Sequence, residues 1–187
     1  MMRIISGSFK GKKILEPKNK NTRPLKDLTK ESIFNIIIHS NKFSIELENS
    51  KILDLFSGVG SFGIECLSRG AKKVIFIENY KAVLPILKKN LFNLNETFNY
   101  EIVEKDIYNE STLLNLNQKF DIIFLDPPYK KKNIENIFLQ IKKAKILYKN
   151  SIIILHRHKN ELDLIPKDFR ILDEKKYGIS KILFISL

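Results

Sequence analysis

From residue 51 onward, short apolar runs alternate regularly with amphipathic stretches. The apolar runs are Lys51–Phe56, Lys73–Glu78, Tyr100–Glu104, Phe120–Leu125 and Ser151–Leu155. The stretches at about 61–69, 80–94 and 133–146 carry apolar residues at helical spacing. Short β-rich runs that alternate with helices are typical of a parallel sheet covered on both faces, so the pattern predicts a doubly wound α/β sheet.

The pattern changes toward the end of the chain. Two strand-like runs, at about 168–175 and 180–186, are separated only by the turn around Tyr177 and Gly178. This connection has no room for a crossover helix, which a parallel pairing would need. We therefore expect the sheet to close with an antiparallel hairpin.

The beginning of the chain has a different organisation. Residues 3–15 predict two short strands around glycine-bearing turns, forming a small hairpin outside the core. A polar linker ends at Pro24, a residue suited to the first turn of a helix, and helical spacing follows over about 25–39. We divide the chain into an N-terminal β-hairpin arm, 1–24, and a main domain, 25–187.

A glycine-rich loop joins the first strand of the main domain to its helix. The segment reads Leu53-Asp54-Leu55-Phe56-Ser57-Gly58-Val59-Gly60-Ser61-Phe62-Gly63, a G-x-G-x-x-G sequence. Such a loop fits a dinucleotide site, with phosphates at the helix N-terminus, and equally a loop that holds S-adenosylmethionine. Asp54 favours the second, because a carboxylate there repels a pyrophosphate but attracts an ammonium or sulfonium. The predicted cofactor-binding residues of this segment are Asp54, Phe56, Ser57, Gly58 and Gly60.

Two further acidic residues follow strands. Glu78 ends the second strand, a position from which a carboxylate accepts hydrogen bonds from ribose hydroxyls in either kind of cofactor site. Asp106, just past the third strand, is a candidate acceptor for the adenine amino group. We predict that both residues bind the cofactor.

The run Phe120–Leu125 leads directly into Asp126-Pro127-Pro128-Tyr129. Proline fixes its own φ, restricts the residue before it to extended backbone and lacks an N–H. The Asp126 carboxylate and the Pro127 carbonyl therefore stand as acceptors on a stiff loop, where the exocyclic amine of a nucleobase can donate to them. Tyr129 offers a ring on which that base can stack. We predict that Asp126, Pro127, Pro128 and Tyr129 form the catalytic loop.

Composition narrows the class of protein. The chain has 187 residues and one cysteine, which excludes an internal disulfide, and no apolar run approaches a membrane span. Residues 1–13 lack the apolar core of a signal peptide, so we expect a cytoplasmic protein. Cys66 is expected to be a buried apolar side chain without a functional role.

The charge is unevenly distributed. The net charge is +12; residues 1–30 carry nine basic and two acidic residues, and residues 127–187 carry fourteen and six. Basic ends around a neutral centre indicate a bound polyanion. The alternative is that lysines accumulated without function in a chain rich in Lys, Asn and Ile. The expected contacts with this polyanion are Arg3, Lys10, Lys12, Lys13, Arg23 and Lys26, which become RNA contacts, with 1–24 as an RNA-binding arm, under the family resemblance described next.

The chain resembles the bacterial small-subunit ribosomal RNA guanine-N2 methyltransferases of the RsmD type over nearly its whole length. The resemblance rests on Arg3-Ile4-Ile5 with Gly7 and Gly11, Thr22-Arg23-Pro24 with Asp27, Lys30-Glu31-Ser32 and Phe34-Asn35, the glycine loop from Asp54 to Gly63, Leu67-Ser68-Arg69-Gly70-Ala71, and Asp126-Pro127-Pro128-Tyr129. It implies a seven-stranded class I (Rossmann-like) methyltransferase fold. It also implies S-adenosylmethionine as donor and, as substrate, a guanine N2 amine in small-subunit (16S) ribosomal RNA or an assembly particle. Independently of the resemblance, the residue spacing offers no metal site, and we expect no obligate protein partner.

The chain departs from the family pattern at two places. Asp27-Leu28-Thr29 stands where the family has Asp-Arg-Val, so a basic contact is missing or has moved to Lys26 or Lys30. After the fifth strand the family often has an acidic residue, whereas this chain has His156-Arg157-His158-Lys159. The two histidines are candidates for phosphate or base contacts, and we favour the interpretation that they are exposed loop residues.

Three other functions stay open at the level of sequence. One is an amine methyltransferase acting on adenine in nucleic acid or on protein glutamine, since such enzymes use similar proline loops. Another is an NAD(P)-dependent oxidoreductase using the G-x-G-x-x-G loop. The third is a non-catalytic RNA-binding assembly factor.

Overall fold

The computed structural model describes residues 2–17, 25–94, 99–128 and 133–187. The strands within these residues are β1 (Met2–Arg3), β2 (Lys13–Ile14), β3 (Lys51–Leu55), β4 (Lys73–Ile77), β5 (Tyr100–Val103), β6 (Phe120–Leu125), β7 (Leu147–His158), β8 (Arg170–Tyr177) and β9 (Ser180–Ser186). The helices are α1 (Asp27–His39), α2 (Ser61–Ser68), α3 (Leu84–Phe92), α4 (Glu110–Leu114) and α5 (Ile134–Ala144).

Seven strands form one sheet in the order β5-β4-β3-β6-β7-β9-β8, and β1 pairs with β2 in a separate hairpin. Strands β3 to β7 pair in parallel, whereas β9 is antiparallel to both β7 and β8. This topology confirms the predicted doubly wound sheet and its antiparallel end. Because the strand order reverses between β3 and β6, the carboxyl ends of these strands form the crevice in which such sheets bind ligands.

Helices cover both faces of the sheet over separate apolar cores. Helices α1, α2 and α3 pack on one face with the hairpin, and α4 and α5 pack on the other. Helix α5 buries Ile134, Ile137, Phe138 and Ile141, a spacing that places all four on one side. Helix α4 has only five residues and was not predicted; the side chain of Asn109 caps it by accepting from the Ser111 N–H.

Close packing holds helix α2 against the sheet. The Phe62 ring stacks between Phe124 and Phe34, with ring centroids 4.0 Å and 5.2 Å apart. At Gly63, an added Cβ would lie 2.3 Å from the ring of Phe76, so only glycine allows this approach. The N-terminus of α2 is thereby brought against the carboxyl end of β3.

The N-terminal hairpin is part of the core, so the expectation that it lies outside was wrong. Met2, Ile4, Phe9 and Ile14 are buried in the same cluster as the helices on that face. The hairpin packs on the end of α2, where Ser8 N–H donates to the Ser68 carbonyl at 2.8 Å. The domain boundary predicted after residue 24 falls at the end of residues 18–24, which lie outside the described residues, so it stays a prediction.

Strand β7 is longer than the apolar run that predicted it. It continues through His158 because β9 pairs with it along this extension, up to the pair His158–Ser180. His156 is 6% exposed and both histidines lie in β7, so their interpretation as exposed loop residues was wrong; Arg157 between them is fully buried.

Candidate functional site

Four polar side chains meet on one face of the sheet at its carboxyl edge. Asp54 in β3 lies in register with Phe76 of β4 and Phe124 of β6. Two residues beyond those phenylalanines stand Glu78 and Asp126, and His156 follows in β7 at the level of Asp126. Since strand side chains alternate between faces, these groups all point to the side on which α2 packs: Asp54, Glu78, Asp126 and His156.

The glycine loop is held by hydrogen bonds from its neighbours. Gly58 and Gly60 have φ of 56° and 86°, values that favour glycine. Ser57 Oγ donates to the Asp54 carbonyl at 2.7 Å, and the Asn90 side chain donates to the Val59 carbonyl at 3.0 Å. The backbone of the loop is therefore held in a defined conformation after β3, and the role of its residues in binding the cofactor stays a prediction.

The Asp54 carboxylate is buried and only partly satisfied. It is 1% exposed; Oδ2 accepts from Gly63 N–H at 3.0 Å, while Oδ1 has no hydrogen-bond partner within the described residues. Burial raises the pKa of Asp54 well above its usual range, and the nearby Asp126 and Glu78 carboxylates raise it further. A cationic group in the crevice would satisfy this carboxylate, whereas a pyrophosphate would add to the repulsion. The site therefore fits S-adenosylmethionine.

Glu78 lies where predicted but is largely engaged by backbone. Its Oε2 accepts from Gly58 N–H at 2.7 Å, and its Oε1 accepts from Asn79 and Tyr80 N–H groups at 2.9 and 2.8 Å. A carboxylate has about four acceptor sites, so about one remains for a ligand. The structure thus leaves room for one ribose hydroxyl, where the sequence analysis expected two.

The end of β5 supplies the last predicted cofactor residue. Asp106 is exposed, and its Oδ1 accepts from Tyr108 N–H at 3.0 Å. The Tyr108 ring lies 5.9 Å from the Phe56 ring, measured between centroids. Sequence reasoning did not single out Tyr108, which has no position in the glycine motif; Phe56 and Tyr108 are both partly buried and pack against the core on the side of α4 and α5.

The catalytic loop predicted after β6 is fixed from two sides. Asp126 is partly exposed, and its Oδ1 lies 2.8 Å from His156 Nδ1. Behind the loop, the buried guanidinium of Arg157 lies 3.5 Å from the carbonyl oxygens of Pro127 and Pro128. Pro127 is buried and Pro128 is exposed, while the predicted residue Tyr129 lies outside the described residues.

Arg157 is held in turn by a carboxylate. Its Nε donates to both oxygens of Asp163, at 2.9 and 3.1 Å. Such a paired arrangement is what makes a buried guanidinium tolerable. One feature of the sequence indicates that the strand continues through Arg157: no turn residue separates the apolar run 151–155 from the His-Arg-His that follows.

The predicted RNA-binding residues do not all share one environment. Arg3, Lys10, Lys13 and Lys26 are exposed, and Arg23 lies outside the described residues. Lys12 is also exposed, but its ammonium donates to the Leu94 carbonyl at 3.1 Å and lies over the Phe9 ring. The first four are therefore better placed than Lys12 to meet phosphates.

Lys30 has no role on the surface, so the idea that a basic contact moved to it was wrong. It is fully buried and donates to the Arg3 carbonyl at 2.7 Å, with Glu65 Oε2 at 3.5 Å. Burial lowers the pKa of Lys30, and the Glu65 and Asp27 carboxylates oppose that shift. Glu65 also accepts from the Ile5 and Ser6 N–H groups, so this pair joins the hairpin, α1 and α2. The neighbouring Cys66 is fully buried.

Within the described ranges, no group of three or more His, Cys, Asp or Glu side chains is arranged to hold a metal ion. No helix in the same part of the chain has the length and apolar character needed to cross a membrane.

Comparisons with known proteins agree with this geometry. Residues 2–186 match the family described as Conserved hypothetical protein 95. The chain is 34% identical to ribosomal RNA small subunit methyltransferase D of Haemophilus influenzae, covering 95% of this chain and 90% of that protein. A protein of the same name from Buchnera aphidicola is 33% identical over 92% of this chain and 86% of its own length.

A solved structure from Escherichia coli, named as methyltransferase yhhF, superposes with a TM-score of 0.82 at 26% identity and covers 98% of this chain and 96% of that chain. Sequence and fold therefore agree over nearly the whole length. The chain belongs to the ribosomal RNA small subunit methyltransferase D family, whose members are S-adenosylmethionine-dependent methyltransferases with this Rossmann-like fold.

Proposed function

We propose that this protein transfers a methyl group from S-adenosylmethionine to the exocyclic N2 amine of a guanine in small-subunit ribosomal RNA. The observation that carries the proposal is the Asp126 carboxylate, held at the open edge of the crevice beside the buried Asp54. The names of the family's relatives support ribosomal RNA as the substrate.

The cofactor supplies an electrophilic methyl group when bound. Asp54 attracts its cationic end, Glu78 accepts from a ribose hydroxyl, and Asp106 accepts from the adenine amine. These assignments follow from charge and exposure. The buried Asp54 carboxylate would hold the cationic end of the cofactor, and the exposed Asp106 carboxylate would hold its adenine amine.

Asp126 and Pro127 orient the accepting amine. The lone pair of a guanine amine is delocalised into the ring, which makes the nitrogen a poor nucleophile. When its two hydrogens are donated to the Asp126 carboxylate and the Pro127 carbonyl, the nitrogen becomes pyramidal and directs its lone pair at the methyl carbon. After transfer, the nitrogen loses a proton to Asp126 or to water. The base must be unstacked to reach the loop, and Tyr129 remains the predicted stacking partner.

The hairpin supplies a surface for the RNA backbone. The exposed cations Arg3, Lys10 and Lys13 lie on it, and Lys26 lies just before α1. Because Glu65 anchors the hairpin to α2, whose N-terminus follows the glycine loop, these charges have a fixed position relative to the crevice. Phosphate contacts of this kind position a nucleic acid without reading its sequence. A cytoplasmic location fits this substrate and stays a prediction.

A methyl-transfer assay tests the proposal. Purified protein and tritiated S-adenosylmethionine are offered free ribosomal RNA, small subunits and DNA, and the product is digested and analysed by nucleoside. We expect N2-methylguanosine, with transfer by Asp126→Ala reduced by about 10²-fold or more and cofactor affinity nearly unchanged.

Asp121→Ala is the matched control. Asp121 lies at the other end of β6, where it accepts from Lys51 N–H, so its loss should lower stability without lowering transfer. Labelled adenine, labelled glutamine in protein, or wild-type transfer by Asp126→Ala would contradict the proposal. No transfer to any substrate would favour a non-catalytic assembly factor.

A further inference from the structure

We propose that His156 is a positioning residue that holds Asp126 with one carboxylate oxygen directed at the substrate amine. This inference rests on the proposed function, in which Asp126 accepts from that amine. It depends on a chain of contacts from β6 through β7 to β9: Asp126 Oδ1 lies 2.8 Å from His156 Nδ1, and His156 Nε2 lies 3.0 Å from Ser180 Oγ.

Strand register places the three residues together. Leu125 and Leu155 pair across β6 and β7, so Asp126 and His156 follow side by side on the same face of the sheet. His158 pairs with Ser180 across β7 and β9, which sets Ser180 diagonally behind the imidazole. The imidazole is held between two hydrogen-bonding groups and is 6% exposed. Its ring orientation is fixed by the sheet.

The hydrogen bonds to Asp126 and Ser180 are possible whether or not the imidazole is charged. When His156 is charged, Nδ1–H donates to Asp126 and Nε2–H donates to Ser180. When it is neutral, Nδ1–H still donates to Asp126, and Nε2 accepts from the Ser180 hydroxyl, which can rotate to suit. Asp126 Oδ1 is therefore occupied in both states, and Oδ2 remains for the amine of the guanine.

The charge of the imidazole changes what Asp126 can do. Two charged groups of the described residues act on it: the Asp126 carboxylate at the end of β6 and the Arg157 guanidinium next to it in β7, while β9 offers the uncharged Ser180. Burial lowers the pKa of His156, but Asp126 outweighs burial and raises the pKa on balance, with Arg157 opposing. An imidazolium partly neutralises the carboxylate and weakens it as an acceptor. Loss of that proton should strengthen Asp126, so kcat should rise with pH through the pKa of His156.

Three variants separate these roles. His156→Leu removes both hydrogen bonds, Ser180→Ala removes only the support behind the ring, and His156→Asn keeps an N–H near the position of Nδ1 but does not titrate. His39→Leu is the matched control, since His39 is the same residue type and is exposed in the last turn of α1, outside the contacts that join Asp126, His156 and Ser180. Each variant is assayed for kcat, KM for small-subunit RNA, cofactor affinity and melting temperature, from pH 6 to 9.

We expect His156→Leu to lower kcat by about 10²-fold, because a misplaced acceptor costs this much, while KM and cofactor affinity stay within about threefold. Ser180→Ala should lower kcat by about tenfold, and His156→Asn should recover most of the activity but lose the rise with pH. Wild-type kcat in His156→Leu, or an unchanged pH profile in His156→Asn, would overturn the inference. If His156→Leu does not fold, wild-type kcat and pH profile in Ser180→Ala would overturn it.

The outcome is distinguishable from failure of the proposed function. Wild-type transfer by Asp126→Ala would remove the role of the carboxylate itself. Loss of transfer in Asp126→Ala together with wild-type kcat in His156→Leu would leave that role intact and exclude only the positioning role of His156.

Discussion

Replacing Gly63 by alanine tests whether close packing of α2 builds the cofactor site. Gly63 lies in the first turn of α2, and its φ is not positive, so the backbone accepts alanine without strain. Helix propensity alone favours Gly63→Ala by about 0.5–1 kcal/mol. The packing opposes this: the new Cβ would lie 2.3 Å from Phe76 Cε1 and 2.9 Å from Val74 Cγ1.

The clash should outweigh the gain in propensity. Ordinary contact begins near 3.4 Å, so the helix or the Phe76 ring must move by about an ångström, and both are buried. Overpacking of this kind costs about 1–3 kcal/mol, which lowers the melting temperature of a chain of this length by about 2–4 °C for each kcal/mol. Movement of α2 also weakens the hydrogen bond from Gly63 N–H to Asp54. We expect cofactor affinity to fall by about tenfold, since hydrogen bonds to charged groups contribute about 1.5–3 kcal/mol.

Chemical denaturation and calorimetric titration with S-adenosylmethionine measure the two effects. The matched control is Gly178→Ala in the turn between β8 and β9, where φ is 57° and an added Cβ meets no atom within 4 Å. That variant should lose about 1 kcal/mol through backbone strain and keep its cofactor affinity. A Gly63→Ala protein that is more stable than wild type, or that binds the cofactor equally well, would refute the reasoning.

Three further predictions concern charge. Asp54→Ala should weaken cofactor binding by about tenfold or more, and unchanged calorimetric affinity would contradict its pairing with the cationic end. Changing Lys10 and Lys13 to glutamine should flatten the salt dependence of RNA affinity by about 0.7–0.9 per lost phosphate contact, whereas Lys149→Gln, at an exposed position of β7, should not. Equal slopes would favour lysines accumulated without function. Because the pKa of His156 is raised in the folded state, its stabilisation is complete below about pH 6.5 and is lost as pH rises through the folded pKa. Urea unfolding of wild type and His156→Asn should therefore differ more at pH 6 than at pH 9.

The sheet and the acidic residues of the site could be predicted from local sequence. Parallel strands buried on both faces are short continuous apolar runs. Two of them, β3 and β6, are also followed closely by Gly58 and Pro127. Asp54, Glu78 and Asp126 each stand at or next to the end of such a run, so their common edge follows from the topology. The number of strands, seven, was implied by the family resemblance, and the order of the strands was not predicted.

Buried polar residues could not be predicted in this way, because their partners are distant in the chain. Asp126 lies thirty residues from His156 in the chain, and Glu65 lies sixty residues from Ile5, whose N–H donates to the Glu65 carboxylate. Polarity alone made His156 look like part of a loop. Its burial is stabilised by partners that local periodicity does not reveal.

The docking of the hairpin on α2 also constrains how the chain acquires its structure during synthesis. The hairpin is made first, but the carboxylate of Glu65 and the carbonyl of Ser68 that bind its backbone are made about sixty residues later. At a synthesis rate of roughly 5–20 residues per second, about 3–12 s pass between the synthesis of the hairpin and the synthesis of these partners. The hairpin therefore cannot dock before the first part of the main domain is made. Its cationic surface takes its final position only after α2, the helix that follows the glycine loop, has been synthesised.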